Sequence, residues 1–151
     1  MTGYHLEIDE EKCWGCKTCE AACKQENKAP YGMKLIEVLE DGPFRNDGGD
    51  LSFNFRVRRC LQCEEPACAE VCPTSAIVKR PDAIVVLNRE LCEECGLCLD
   101  ACPFGAISLY PDGGAARKCD LCAHRIDAGL LPACADNVCL AHAINLVRIT
   151  D

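Results

Sequence analysis

Sixteen cysteines dictate what this 151-residue chain can become, because they fall into four groups of four with none left over. The groups are Cys13, Cys16, Cys19 and Cys23; Cys60, Cys63, Cys68 and Cys72; Cys92, Cys95, Cys98 and Cys102; and Cys119, Cys122, Cys134 and Cys139. The first and third read C-x2-C-x2-C-x3-C, and Pro103 follows the third. That is the ligand spacing of a bacterial [4Fe–4S] site. Sixteen thiolates at four per cube make four [4Fe–4S] clusters, and such a chain is most simply an electron wire. A disulfide framework fits poorly, since its spacings are irregular and these repeat. Zinc also takes C-x2-C pairs, but zinc sites rarely string three cysteines and add a fourth after three residues.

Only eight residues are aromatic, so the apolar core is thin for the length. Metal–thiolate bonds substitute for it, and folding is expected to depend on cluster insertion. The formal charge is −8. Four cubes at −2 each, thiolates included, bring the total to about −16. That argues against nucleic acid as a partner and for one with a basic docking face. The N-terminus carries no signal-peptide pattern and no stretch is long and apolar enough to span a membrane, so direct membrane insertion is not expected. The expected location is cytoplasmic, unless a partner's signal carries the loaded chain out. No G-x-G-x-x-G and no Walker loop accompanies the cysteines, and no active site is expected in the chain itself.

Two segment types alternate along the chain. Type one has an aliphatic residue, Asp or Asn, three more residues and then a run: Ile8-Asp9-Glu10-Glu11-Lys12-Cys13 matches Leu87-Asn88-Arg89-Glu90-Leu91-Cys92. Type two opens on a basic pair: Arg58-Arg59-Cys60-Leu61-Gln62-Cys63 matches Arg117-Lys118-Cys119-Asp120-Leu121-Cys122. Pro66-Ala67-Cys68-Ala69 likewise matches Pro132-Ala133-Cys134-Ala135. Closing tails repeat at Cys72–Ile77, Cys102–Ile107 and Cys139–Ile144, where Ser75, Gly105 and His142 hold equivalent places. The order one-two-one-two reads as an internal duplication. The fold expected is α+β: two fused ferredoxin-like 2[4Fe–4S] units, loop-rich, in one compact body over residues 1–151 with a radius of gyration of about 15 Å.

Strands are predicted at Tyr4–Ile8, Leu35–Leu39, Phe53–Val57, Ala76–Lys79, Ala83–Val86, Ile107–Tyr110 and Ile144–Ile149. Short helices are predicted at Thr18–Gln25, Ala67–Val71 and Leu97–Ala101. The long spacer 24–59 reads as an inserted hairpin with its tip among Asp41-Gly42-Pro43 and Asn46–Asp50, serving as filler or as a docking arm. The inner pair of cubes falls at about 57–110, and the outer pair comes from 1–23 and 111–151.

In this ligand logic three cysteines of a run hold one cube and the fourth reaches to its neighbour. Groups two and three, joined by a short hairpin, form one pair of cubes. One cube takes Cys60, Cys63, Cys68 and Cys102, and the other Cys92, Cys95, Cys98 and Cys72. By elimination and by the doubled pattern, the remaining cubes take Cys13, Cys16, Cys19 and Cys139, and Cys119, Cys122, Cys134 and Cys23. Lys12, Lys24, Arg58, Arg59, Arg117 and Lys118 flank these ligands, either stabilising reduced cubes or as ordinary solvated charge. Trp14 either shields a cube, covers a docking face or simply packs. His142 is a surface histidine or a redox-linked proton site.

These motifs carry a resemblance. Cys60-Leu61-Gln62-Cys63-Glu64-Glu65-Pro66-Ala67-Cys68 with Val71-Cys72-Pro73-Thr74, and Lys118-Cys119-Asp120-Leu121-Cys122 with Arg125, Gly129 and Pro132-Ala133-Cys134, resemble the four-cluster iron–sulfur subunits of molybdenum or tungsten pterin oxidoreductases. These include small subunits of the dimethyl sulfoxide reductase superfamily and of tungsten aldehyde oxidoreductase and benzoyl-CoA reductase type complexes. The resemblance spans nearly the whole chain and implies the same pairing of first run with fourth and second with third. It also implies a large catalytic subunit holding the metal–pterin site; whether a flavin subunit, a soluble ferredoxin or a further copy of the chain completes the path is left open by the sequence. Two departures stand in the fourth run: four residues separate Cys134 from Cys139, where the pattern has three, and Leu140 replaces the usual proline. The alternative function is a free polyferredoxin serving several oxidoreductases.

Overall fold

A computed structural model describes residues 3–111 and 113–149. Among them the chain forms four two-stranded antiparallel sheets and four short helices, with cysteine loops filling the space between. Strand β1 (Gly3–Ile8) pairs with β8 (Ile144–Ile149), and β2 (Ile36–Arg45) with β3 (Leu51–Arg59). Strand β4 (Ile77–Lys79) pairs with β5 (Val85–Leu87), and β6 (Ile107–Ser108) with β7 (Arg117–Lys118). The helices are α1 (Thr18–Glu26), α2 (Ala67–Glu70), α3 (Leu97–Ala101) and α4 (Ala123–Asp127). A 3₁₀ turn at Glu10–Lys12 leads into the first run.

The sheets make the duplication visible residue by residue. Ile8 pairs with Ile144, and their counterparts Leu87 and Ile77 pair in the same way. Arg59 pairs with Ile36, and its counterpart Lys118 pairs with Ile107. The hairpin β2–β3 is therefore the equivalent of the two-residue ribbon β6–β7, drawn out to ten and nine residues. Its inner end is buried at Ile36, Val38 and Val57, whereas residues 40–54 are exposed. The tip lies at 46–50, where Asn46 Oδ1 accepts from the backbone N–H groups of Gly48 and Asp50. Asp41-Gly42-Pro43 is not part of the tip: it forms an irregularity within β2, where the pairing shifts between Asp41 and Phe44.

The core divides in two. The larger part gathers Leu6, Met33, Leu35, Ile36, Val38, Val57, Ile84, Leu121 and Ile144 with three cysteines, and the smaller gathers Ile77, Val85, Ile107 and Ala116 with Cys98. Cysteines stand among the aliphatic side chains in both, as expected when thiols replace part of an apolar core. The halves are tied together by the turn between β4 and β5. Tyr4 N–H donates to Asp82 O at 3.1 Å, and the Arg80 guanidinium binds both carboxylate oxygens of Asp127 at 3.0 and 2.6 Å. Ile84, fully buried in that turn, belongs to the larger core although its strand neighbour Val85 belongs to the smaller. Truncating Ile84→Ala is expected to cost about 2–5 kcal/mol. It should lower the thermal unfolding midpoint of the cluster-loaded protein, whereas Val78→Ala, on an exposed position, should leave it nearly unchanged.

Candidate iron–sulfur sites

The four runs wrap their thiols in one repeated way. The residue before the second cysteine is left-handed in every run: Gly15 (φ 68°), Gln62 (53°), Glu94 (59°) and Leu121 (55°). In the C-x2-C-x2-C runs the residue after it is left-handed too, at Lys17 and Gly96. Alternating right- and left-handed residues turn successive backbone N–H groups inward, making a concave nest for anions. The closing tails share a second device. Ser75, Gly105 and His142 all have φ between 50° and 57°, and each N–H donates back to the carbonyl of the cysteine three residues earlier, at 2.9–3.3 Å. His142 is exposed, and its place in the repeat is set by this turn.

Folding gathers the sixteen thiols into four quartets. Quartet A is Cys13, Cys16, Cys19 and Cys139, around a hollow of about 330 Å³. Quartet B is Cys23, Cys119, Cys122 and Cys134, around another of about 330 Å³. In quartet C, Cys60, Cys63 and Cys102 lie close enough to Cys68 for their charges to act on it. Quartet D is Cys72, Cys92, Cys95 and Cys98, around about 370 Å³. Each run thus places its last cysteine in a different quartet from its first three, and in the fourth run, with its wider final spacing, it is again Cys139 that crosses while Cys134 stays.

The quartets are adjacent in a chain of pairs. Cys19 (A) and Cys23 (B) stand one turn apart on α1, roughly 6 Å. Cys60 (C) lies close to Cys119 (B), and Gln62 Nε2, within the run of C, donates to Cys119 O at 2.9 Å. Cys98 (D) and Cys102 (C) again stand one turn apart at α3, and Cys68 (C) lies near Cys98. The order is A–B–C–D. Quartet B is the most enclosed: Cys23, Cys122 and Cys134 are buried, whereas Cys16 of A and Cys95 of D reach the surface.

Several features fit a four-thiolate cube at each quartet. Among the described residues no three His, Cys, Asp or Glu side chains converge to hold a single ion; the thiols of A, B and D instead surround hollows. Backbone N–H groups donate to sulfur from Ala116 to Cys92 (3.4 Å), Leu121 to Cys119 (3.4 Å) and Ala143 to Cys139 (3.3 Å). Burial pushes the Cys23 and Cys134 thiols up to about 12 and Cys19 and Cys98 up to about 11. Cluster binding must therefore displace firmly held protons, which couples assembly to pH. Cys16 goes the other way, held below its ordinary value by the Thr18 hydroxyl at 3.3 Å.

Some of these groups left a trace in the sequence and some did not. Thr18 and Thr74 each stand two residues after a cysteine whose sulfur they approach, at 3.3 and 3.6 Å, so a recurring Cys-x-Thr was readable. Asn27 belongs to no cysteine motif, yet its amide lies 3.5 Å from Cys23 Sγ and 3.9 Å from Cys122 Sγ, both of quartet B. Of the six flanking cations, Lys12 and Arg58 are paired with Asp9 and Glu37 near the surface. Lys24 lies over the Tyr31 ring. Arg117 and Lys118 are buried and Arg59 is half-buried. Trp14 is 66 % exposed at the lip of the hollow of A, which excludes a core packing role.

The hairpin β2–β3 is also part of the site. Val38 and Val57 line the hollow of A, and their N–H groups donate to the carboxylates of Glu20 (2.6 Å) and Glu10 (2.7 Å) in the first segment. Phe55 covers Gly15 so closely that a Cβ there would collide with its ring. Gly15→Ala combines that clash with a left-handed backbone, which costs about 1–2 kcal/mol for other residues. It should lower bound iron from about sixteen toward about twelve per chain, four irons being one cube. Iron analysis of the anaerobically purified variant measures it.

Comparisons with known proteins agree with this geometry. The family model described as a 4Fe-4S dicluster domain matches residues 51–149, and a 4Fe-4S binding domain matches residues 6–26. One component of the polysulfide reductase of Wolinella succinogenes is 38% identical over 98% of the chain and 78% of its own length. A protein provisionally named a dimethyl sulfoxide reductase iron–sulfur subunit, from Halobacterium salinarum, is 36% identical over 91% of the chain, which spans 63% of that relative. A tetrathionate reductase subunit of Salmonella typhimurium is 36% identical over 89% of the chain, which spans 54% of that relative. Among solved structures, the active-site complex of benzoyl coenzyme A reductase matches with a TM-score of 0.51 at 24% identity, over 99% of this chain and 79% of that one, a likeness of fold. With four quartets of thiols in ferredoxin-like loops and these matches along its length, the chain therefore belongs to the 4Fe-4S dicluster family, whose members similar to it include named components of reductases.

Proposed function

We propose that the chain relays single electrons through four cubes in the order A–B–C–D, between a catalytic subunit carrying a molybdenum– or tungsten–pterin site and a redox partner. The observation that carries this reading is the pairwise adjacency of the quartets, with each adjacent pair joined by a helical turn or by a hydrogen bond between loops. Each cube, when bound, takes up and gives back one electron. The protein's part is to hold sixteen thiolates at fixed spacing, to supply N–H donors to the sulfurs, and to keep water from quartet B.

Both ends of the series carry exposed apolar side chains, Leu91 and Leu97 at D among them, and D adds an acidic edge. Around A, Trp14 and Leu140 are 66 % and 60 % exposed close to the surface thiol Cys16. Around D, the surface thiol Cys95 stands next to Glu93 and Glu94, both exposed and lining that hollow. An apolar rim suits a lasting interface and an acidic one a partner with a basic face. Relatives named as components of multi-part reductases support a place in such a complex. Among the described residues no helix is long and apolar enough to cross a membrane.

Elemental analysis of the natively purified, anaerobic complex tests the reading. The expected result is about sixteen irons per copy of this chain, with molybdenum or tungsten on a co-purifying large subunit. The same iron on a lone chain with neither heavy metal would indicate a free polyferredoxin, and zinc in place of iron would overturn both. A second test cuts the wire: Cys134→Ser should remove or alter the cube at B. Electrons delivered at D should then no longer reach A at the wild-type rate, while the EPR signals of C and D persist.

A further inference from the structure

Arg59 and Lys118 occupy the same place in the two halves of the duplication, immediately before the first cysteine of a type-two run. Their environments match as well. Arg59 Nη2 donates to Leu6 O at 3.1 Å, and Lys118 Nζ donates to Val85 O. Leu6 and Val85 are themselves equivalent, since each lies two residues before the Ile8 or Leu87 that opens a type-one segment. Lys118 Nζ also donates to Cys119 O at 2.7 Å. Among the described residues neither cation has a carboxylate oxygen within 4 Å, although Lys12, Lys17, Lys34, Arg58, Arg80 and Arg125 all do. An enclosed cation held only by carbonyl oxygens is costly unless a counter-charge lies close.

Arg59 has the Glu10 carboxylate nearby, beyond 4 Å, and thiolates face both cations in a crossed arrangement. Arg59 precedes the run of C but lines the hollow of B, facing Cys119 and Cys134 as well as Cys60. Lys118 precedes the run of B and lies close enough to Cys68 of C for its charge to act on that thiol. Each half thus lends its cation to the inner quartet of the other half. Adding an electron makes a cube more negative, so a fixed cation beside it favours the reduced form. A buried site screens that effect less than a surface one.

We infer that Arg59 and Lys118 are a duplicated pair of positioning residues that raise the reduction potentials of the two inner cubes, Arg59 chiefly at B and Lys118 chiefly at C. The inference rests on the assignment of quartets B and C as cubes. Its test is an EPR-monitored redox titration of the purified complex, with the signals of B and C assigned beforehand from Cys134→Ser and Cys68→Ser.

Arg59→Gln should make the potential of B more negative by at least a tenfold change in its oxidised-to-reduced ratio, which is about 59 mV for one electron. Lys118→Gln should do the same at C. The charge-preserving Arg59→Lys and Lys118→Arg should restore most of each shift. Lys12→Gln, which also precedes a first cysteine but is exposed and paired with Asp9, should move neither. Neutral variants that keep about sixteen irons and unchanged potentials would overturn the inference. So would variants that lose a cube when neutral and keep it when charged, since the cation would then serve assembly rather than potential. A wild-type complex without four cubes would instead overturn the cluster assignment on which it rests.

Discussion

The crossing of one cysteine from each run into a neighbouring quartet is the constraint on which the rest of the molecule depends. A run that kept all its thiols to itself could fold as an isolated loop. Here Cys23, Cys72, Cys102 and Cys139 leave their runs, so no quartet is complete until two distant runs meet. At Cys19–Cys23 and Cys98–Cys102 the crossing is made by one turn of helix, the most rigid spacer available over four residues. The helices are short because their task is to set a distance. The sheets are short for a related reason: each pins the entry or exit of a run, and the hydrophobic contacts they add are few.

Much of this was legible. Ligand spacing and the alternation of segment types carry the four groups, and the termini of α1, α3, β1 and β8 fall within two residues of where the cysteine triplets and the strand pattern put them. What escaped was local structure without an apolar signature. Strand β7 is only Arg117–Lys118, a basic pair that reads as solvated surface, yet both side chains are buried. Helix α4 begins directly after a ligand and carries His124, Arg125 and Asp127, with no periodic apolar face to announce it. The extent of β2 and β3 was underestimated because their outer halves lack a buried side, and Asp41-Gly42-Pro43 gave a turn signal within a strand.

The charged residues show the same limit. Six cations flank ligands in the sequence, and nothing in their spacing separates Lys12, paired with Asp9 at the surface, from Lys118, enclosed among carbonyls. Only the pairing of the strands sorts them. His142 likewise gains its meaning from backbone geometry: the left-handed turn it shares with Ser75 and Gly105 is adopted by three unlike side chains. Matching the equivalent registers, Ile8 with Ile144 and Leu87 with Ile77, shows that the two halves keep the same hydrogen-bonded frame while their side chains have diverged.

The ribbon β2–β3 has a consequence for how such a chain changes over time. It starts from the same pair as its two-residue counterpart, Ile36 with Arg59 against Ile107 with Lys118, and its outer length stands in solvent away from the buried thiols. Residues can therefore be gained or lost at that outer end without disturbing the spacing on which conduction depends. The molecule carries a buried interior and a free margin on one stalk, where attachment can change while the spacing of the thiols stays fixed.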